Sequence, residues 1–338
     1  MRALGRPHDV LANFLRKERA LREGSDIPQI RPAIISLAGG TAGIVSLGVL
    51  HALSEHAPNA PNVCAGVSAG AANIFGFLGG KTKLGLQVYE HLASANFIEG
   101  GWFDPRVKID YPVKILREGF KGITIDQGII YKHRSDFIVF TTEYKTAKGI
   151  QLDAKTARPD IVEAVRASMM VPGVCSGTVH IGEKRYVDGA CGIPFPVREV
   201  VKAYRPTDML ILFNRPMPEE MSWLEWHLFP YYAKLLLYRH GVPKPVRDST
   251  AMMDRVMAHE IKLLKRDRRT GWGNVFRKLF HMETPLPHRK TLRWCIIAPE
   301  PHEEVSQRCL DRKIVRAGGE RAYAFMKQLL VEVEKQYK

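Results

Sequence analysis

The sequence predicts an α/β protein built around a mostly parallel sheet. Two consecutive units near the N-terminus, residues 33–55 and 63–78, each run from a short apolar strand through a tight turn into an apolar helix. This repeated order is typical of parallel sheets, because each helix carries the chain back to the edge where the next strand begins. Further apolar strands are predicted at residues 137–142, 185–188, 209–213 and 292–298.

Apolar residues at helical spacing predict the remaining helices. In residues 9–23 they follow Asp9, which is a suitable N-cap. A second helix is predicted over residues 161–170, and it ends before Pro172 because the residue that precedes a proline avoids helical geometry. The last helix is predicted over residues 319–336.

The chain of 338 residues is long enough for one large α/β domain with elaborations. We divide it into an N-terminal amphipathic helical extension (1–31), a core (32–215), a helical region rich in aromatic and basic residues (216–290), and a C-terminal strand and helix that complete the fold (291–338). The region 216–290 is interpreted as a helical cap on the sheet, and contact with a membrane surface is the alternative.

The net charge of +15 indicates attraction to something anionic. No zinc-finger spacing and no RNA-binding aromatic motif accompanies this charge, so a nucleic-acid partner is not expected. Two interpretations stay open: peripheral contact with an anionic membrane surface, and a basic exterior without functional consequence.

The cysteines favour a reducing environment. There are five, which is an odd number, and no two are spaced as CxxC. Residues 1–31 contain no apolar segment of the kind found in secretory leaders. We therefore expect a cytoplasmic protein, with peripheral membrane association as a further expectation.

Two long stretches without Asp, Glu, Lys or Arg, 34–53 and 63–80, resemble membrane spans in length only. Glycines interrupt the first stretch at four positions, and a polar turn lies at the centre of the second. We interpret both stretches as buried strand–turn–helix units.

That polar turn is the segment Gly66-Val67-Ser68-Ala69-Gly70, which has the form of a nucleophile elbow. A sharp turn from strand to helix exposes a serine oxygen, and it requires small neighbours because the backbone is crowded there. The N-terminus of the following helix favours negative charge. Ser68 is the candidate nucleophile, and a tight helix start without chemistry is the alternative.

A second glycine-rich turn, Gly39-Gly40-Thr41, follows the first predicted strand. Its N–H groups are expected at the same edge of the sheet, where they are candidates for an oxyanion hole. A nucleotide loop and a purely structural turn are the alternatives. Ala38 stands where a G-x-G-x-x-G pattern needs its first glycine, and no P-loop lysine follows.

The base that activates Ser68 is either a histidine or an aspartate. An ordinary triad would use one of the histidines after residue 180, which are His227, His240, His259, His281, His288 and His302. None of them lies in a distinctive motif. Asp188, by contrast, ends a predicted strand at a turn. A buried aspartate within reach of the serine hydroxyl can accept its proton directly.

These motifs resemble the patatin-like phospholipase family. The resemblance rests on the loop Gly39–Gly43, the elbow around Ser68, the segment Asp188-Gly189-Ala190, and the intervening Ala167–Gly173, which looks like the family's helix end before the aspartate. It spans roughly residues 33–335, and its motifs follow one another in the family's order.

The resemblance implies a patatin-like three-layer sandwich and a Ser68–Asp188 dyad without a histidine. It implies an oxyanion hole at Gly39, Gly40 and Thr41, hydrolysis of lipid esters through an acyl-enzyme, and no metal or organic cofactor. The remaining motif positions are Gly43, Gly66, Gly70, Gly189 and Ala190.

The chain departs from the family at two loop positions. The family usually has glycine at the position of Ala38 and Arg or Lys at the position of Ala42. A missing cation removes support for the loop or for an anionic headgroup, whereas backbone donors do not depend on the side chain. A catalytically weak or inactive module that binds lipid or protein is therefore an alternative to the hydrolase.

Overall fold

The structure of the protein is a computed structural model, which describes residues 1–95, 97–100, 106–157, 160–221, 223–265 and 292–337. In these ranges the strands are β1 (Arg2–Gly5), β2 (Pro32–Ser36), β3 (Val63–Val67), β4 (Ile98–Glu99), β5 (Arg106–Val107), β6 (Asp136–Glu143), β7 (Gly149–Asp153), β8 (Val179–Ile181), β9 (Lys184–Asp188), β10 (Asp208–Leu212) and β11 (Arg293–Ala298).

The helices in the same ranges are α1 (Pro7–Arg22), α2 (Ile44–His56), α3 (Ala69–Leu78), α4 (Thr82–Leu92), α5 (Asp110–Glu118), α6 (Gln127–Lys132), α7 (Ile161–Met169), α8 (Val197–Tyr204), α9 (Trp223–Arg239), α10 (Lys244–Lys265) and α11 (Arg312–Gln336).

The central sheet is mixed, with a parallel centre. Its order is β1-β11-β10-β2-β3-β6-β9-β8, and β7 also pairs with β6. Strands β11, β10, β2, β3 and β6 run parallel to one another, whereas β1, β7, β8 and β9 pair antiparallel with their neighbours. The carboxyl ends of β2 and β3 therefore meet at one edge of the sheet.

Helices cover both faces of this sheet. Successive strand residues point to opposite faces, so Ile34 and Cys64 belong to one buried cluster while Ile35 and Ala65 belong to the other. The first cluster includes residues of α1, α2, α3, α7 and α11, and the second includes residues of α8 and α10. The predicted α/β three-layer architecture is confirmed.

The N-terminal segment contributes to the main sheet. β1 pairs with β11, and α1 buries Val10, Leu11 and Phe14. Lys17 is fully buried, and its ammonium donates a hydrogen bond to the carbonyl of Ile27 at 2.9 Å. The segment thus provides an edge strand and a packed helix, and its buried Lys17 ammonium is hydrogen-bonded.

The last helix begins earlier than the predicted residue 319. Asp311 caps it by accepting hydrogen bonds from the N–H groups of Lys313 and Ile314 at 2.7 and 3.3 Å. Gly319, which resembles a helix boundary in the sequence, lies inside the helix where α11 packs on α2. A Cβ at Gly48 of α2 would lie 2.4 Å from the Gly319 carbonyl oxygen.

The region 216–290 contains α9 and α10 in its described part, and residues 266–290, with the end of the basic run, lie outside the described residues. α10 packs on the sheet through Met257, Ile261 and Leu264, which are buried with the second cluster. No helix in the described ranges has the length and hydropathy needed to cross a membrane.

Candidate active site

Ser68 lies at the junction of β3 and α3 with φ = 55° and ψ = −128°. A positive φ is costly for a residue with a Cβ, by about 1–3 kcal/mol, so this strain must be maintained by the surroundings. Two glycines make the turn possible. A Cβ at Gly66 would lie 2.4 Å from Ala71 Cα, and a Cβ at Gly70 would lie 2.1 Å from the Ser36 carbonyl oxygen.

The turn is also held by Ser168, which lies in α7 and is fully buried. The Ser68 N–H donates a hydrogen bond to Ser168 Oγ at 2.8 Å, and Ser168 Oγ–H donates to the Phe140 carbonyl at 2.6 Å. The hydroxyl thus connects the strained turn to β6. Ser168 belongs to the sequence segment Ala167–Gly173, but the motif alone does not reveal this role.

Asp188 reaches Ser68 through the register of three strands. Val67 is aligned with Phe140 across β3 and β6, and Asp188 is aligned with Thr141 across β6 and β9. Ser68 and Asp188 therefore lie at nearly the same level, on either side of β6. β9 runs antiparallel to β6, a direction that the sequence does not reveal.

The Asp188 turn is tightly fixed. Asp188 Oδ1 accepts a hydrogen bond from the Ala190 N–H at 2.8 Å, and the Asp188 N–H donates to the Met170 carbonyl at 2.8 Å. Thr142 Oγ1 donates to the Asp188 carbonyl at 2.7 Å. At Gly189, a Cβ would lie 2.1 Å from the Phe140 carbonyl oxygen, so a side chain there would force the turn away from β6.

Burial raises the pKa of Asp188 to about 6 from its ordinary value of 3.8. The Ser68 side chain and the Ala190 N–H act in the opposite direction and lower the pKa of this carboxyl. A carboxylate with this pKa is ionised at neutral pH and is more basic than an ordinary aspartate, as proton transfer from a hydroxyl requires.

The glycine-rich turn lies beside the elbow, and its N–H groups are not equivalent. The Thr41 N–H donates to the Gln307 carbonyl at 3.1 Å, and the Ala42 N–H donates to the Gly39 carbonyl at 3.0 Å. Gly40 has φ = 55°, and a Cβ there would lie 2.5 Å from the Gln307 carbonyl oxygen. The Thr41 N–H is therefore engaged within the protein, and the role of Thr41 in an oxyanion hole stays a prediction.

Residues far along the chain position this turn. Buried Asn214, two residues after β10, donates from Nδ2 to the Leu37 carbonyl at 2.6 Å and accepts from the Ser46 N–H at 2.9 Å. Thr41 Oγ1 donates to the Ser306 carbonyl at 3.0 Å. Sequence reasoning missed Asn214, although a polar residue just after a parallel strand is a usable signal.

The two loop departures have different surroundings. Ala42 is fully buried, whereas Ala38 lies on the lining of a cavity. Gly43 explains part of this packing, because a Cβ there would lie 2.2 Å from the hydroxyl of Tyr89. Tyr89 in turn donates a hydrogen bond to Asn73 Oδ1 at 3.0 Å, so the loop is packed against α3 and α4.

One cavity of about 320 Å³ brings the predicted residues together. Ser68, Asp188 and the turn Gly39–Thr41 line it, and so does Ala190. Apolar side chains from α3, α4 and α5 line one part, and side chains from α9 and α10 line another. The buried turn residues Gly43, Gly66, Gly70 and Gly189 shape the backbone without lining this cavity.

No histidine lines this cavity in the described part of the chain. Of the candidates for an ordinary triad, His227, His240, His259 and His302 are exposed. His281 and His288 lie outside the described residues. All five cysteines are free thiols, and burial raises the pKa of Cys191, next to the Asp188 turn, to about 12.

Ser68 in a strained turn and Asp188 with a raised pKa therefore lie together on the lining of one mainly apolar cavity. Residues 37–201 match the family model described as patatin-like phospholipase. The match covers the same motifs that carry the resemblance in the sequence, and it supports lipid acyl hydrolase activity in general.

Among solved structures, VipD from Legionella pneumophila aligns with 90% of this chain and 67% of its own chain, at 14% sequence identity and a TM-score of 0.40. No curated protein sequence matches the chain.

Proposed function

We propose that the protein is a serine acyl hydrolase that cleaves carboxylic esters of lipids, with Ser68 as nucleophile and Asp188 as general base. The observation that carries the proposal is the shared cavity. It contains a serine in a strained elbow conformation and a buried aspartate whose pKa is raised, and its lining is mainly apolar.

In the first half of the reaction, Asp188 accepts the proton of the Ser68 hydroxyl while Oγ attacks the ester carbonyl. The tetrahedral intermediate collapses to an acyl-enzyme, and Asp188 returns the proton to the departing alcohol. In the second half, Asp188 deprotonates a water that attacks the acyl-enzyme, and the fatty acid leaves as Asp188 returns this proton to Ser68 Oγ. No cofactor takes part in this scheme.

We assign the oxyanion hole to the N–H groups of Gly39 and Gly40. Both residues line the cavity beside Ser68, whereas the neighbouring donors of Thr41 and Ala42 are engaged within the protein. Oxyanion donors contribute most when they are fixed before the reaction. The hydrogen bonds from Asn214 to the Leu37 carbonyl and from Thr41 to the Ser306 carbonyl provide that fixation.

The decisive experiment is covalent labelling with a fluorophosphonate probe, followed by mass spectrometry of the adduct. The intact chain should carry the probe on Ser68, and Ser68→Ala should carry none. The matched control is Ser94→Ala, which changes an exposed serine and should label like the wild type. Hydrolysis of a panel of phospholipid, lysophospholipid and neutral lipid esters then defines the substrate.

The same assay separates the alternatives. Replacing each later histidine singly by alanine should leave turnover in place, and a histidine whose loss abolishes labelling would show an ordinary triad. If the folded wild type is not labelled at all, the hydrolase proposal fails and a non-catalytic binding module is the better description.

A further inference from the structure

Helix α9 exposes an unusual apolar face. Leu228, Tyr231, Leu235 and Tyr238 are 51%, 72%, 53% and 67% exposed. Their spacing of three, four and three residues places them on one side of the helix. Trp223, 69% exposed, begins the helix. Contiguous apolar surface of this kind on a soluble protein usually marks a site of interaction.

The opposite face of the same helix belongs to the proposed active site. Ala233, Leu236 and Leu237 are buried, and together with Tyr232 they line the cavity that contains Ser68. The diameter of a helix is about 10 Å, so only this thickness separates the exposed face from the cavity. A surface bound by the outer face would lie next to the proposed route of the substrate.

The chemistry of the outer face is that of a lipid interface. Tyrosine and tryptophan combine an apolar ring with a polar atom, and they prefer the boundary between lipid chains and water. A cation lies beside this outer face, because the Arg247 guanidinium stacks over the Tyr238 ring, 4.9 Å from its centroid. The chain's net charge of +15 adds attraction to anionic headgroups.

We infer that the outer face of α9 docks the protein on an anionic phospholipid membrane and brings the cavity to the membrane surface. This inference rests on the proposed function for its choice of lipid as occupant. Docking depends on apolar side chains as well as on charge, so added salt should weaken binding but leave a residual apolar component.

The test measures docking without hydrolysis, in the Ser68→Ala background. Co-sedimentation is followed with vesicles of phosphatidylcholine and phosphatidylglycerol. Tyr231→Ser with Leu235→Ser should weaken vesicle binding by about tenfold or more, since tenfold corresponds to only about 1.4 kcal/mol. The matched control is Ile314→Ser with Val331→Ser on α11, where the residues are 47% and 36% exposed, and it should bind like the parent.

Equal binding by the α9 variant and its parent, with both folded by circular dichroism, would overturn the inference. So would sedimentation showing that the parent is a dimer and the α9 variant a monomer, because a second copy would then cover the face. The proposed function is read out separately, by hydrolysis of a soluble short-chain ester in proteins with an intact Ser68. An α9 variant that cleaves this ester normally but loses vesicle hydrolysis supports the inference.

Discussion

Replacing Asp188 by asparagine should inactivate the protein and at the same time stabilise its fold. The carboxyl is buried, and its pKa is raised from 3.8 to about 6 because burial disfavours the charged form. A shift of this size corresponds to a free-energy cost of about 3 kcal/mol whenever the group is ionised in the folded state. Asparagine has the same shape and carries no charge.

The sign of the pH dependence follows from the two pKa values. Above pH 6 the folded protein bears the whole cost of the buried charge. The cost declines as the pH falls from 6 toward 3.8, and below that range the carboxyl is protonated in both the folded and unfolded states. The stability difference between Asp188→Asn and wild type should therefore be largest at pH 7–8 and shrink toward pH 4.

Thermal unfolding between pH 8 and pH 4.5 measures this difference. A gain of about 3 kcal/mol at pH 8 corresponds to a rise in Tm of several degrees. The control is Asp248→Asn, since Lys244 and Lys234 lower the pKa of Asp248 to about 2 and its replacement should destabilise the fold or leave it unchanged. Equal or lower Tm for Asp188→Asn at pH 8 would refute the reasoning, because the ionised carboxyl would then not be strained by burial.

The remaining predictions concern catalysis. The kcat/KM for a soluble ester should rise tenfold per pH unit up to an inflection near pH 6 and then level off, because Asp188 must be ionised to accept the Ser68 proton. Gly76→Leu should abolish the hydrolysis of long-chain esters and spare short ones. Gly76 lines the cavity, and a Cβ there would meet no atom within 4 Å. It lies eight residues after Ser68, about 12 Å along α3, which matches an extended chain of roughly ten carbons.

Each of these has its own control. For the pH profile, an inflection moved by replacing a single histidine would assign the base to that histidine. For the chain-length effect, a series of esters of increasing acyl length should show a break for Gly76→Leu and a smaller one for Gly76→Ala. A uniform loss across the series would mean that the substitution damages the elbow and not the cavity.

The sequence reveals the parts of the site that depend on local geometry. Gly66 and Gly70 are required wherever the backbone turns tightly around a serine, so the elbow is recognisable from spacing alone. The close approach of Gly189 to β6 likewise requires a glycine directly after Asp188, and the sequence shows it. Helix α3 accordingly ends at Leu78, where the predicted unit 63–78 ends.

Contacts between segments that are distant in the chain cannot be recognised from a local sequence pattern. The engagement of the Thr41 N–H depends on a carbonyl more than 260 residues later, at Gln307. The antiparallel direction of β9 and the role of Asn214 likewise follow from the assembled sheet. Gly319 resembles a helix boundary because the sequence does not show that α2 packs against it.

The order of strands also limits which fragments of the chain can keep the sheet intact. The family match ends at residue 201, yet β10 and β11 follow it in sequence, and in the sheet β10 pairs with β2 and β11 pairs with β10. A fragment of residues 37–201 would lack β2, β10 and β11, and would leave apolar β3 as an unpaired edge that is prone to aggregate. It would retain Ser68 and Asp188 but lose the groups that hold the glycine turn. The region that matches the family is therefore smaller than the sheet that surrounds Ser68 and Asp188.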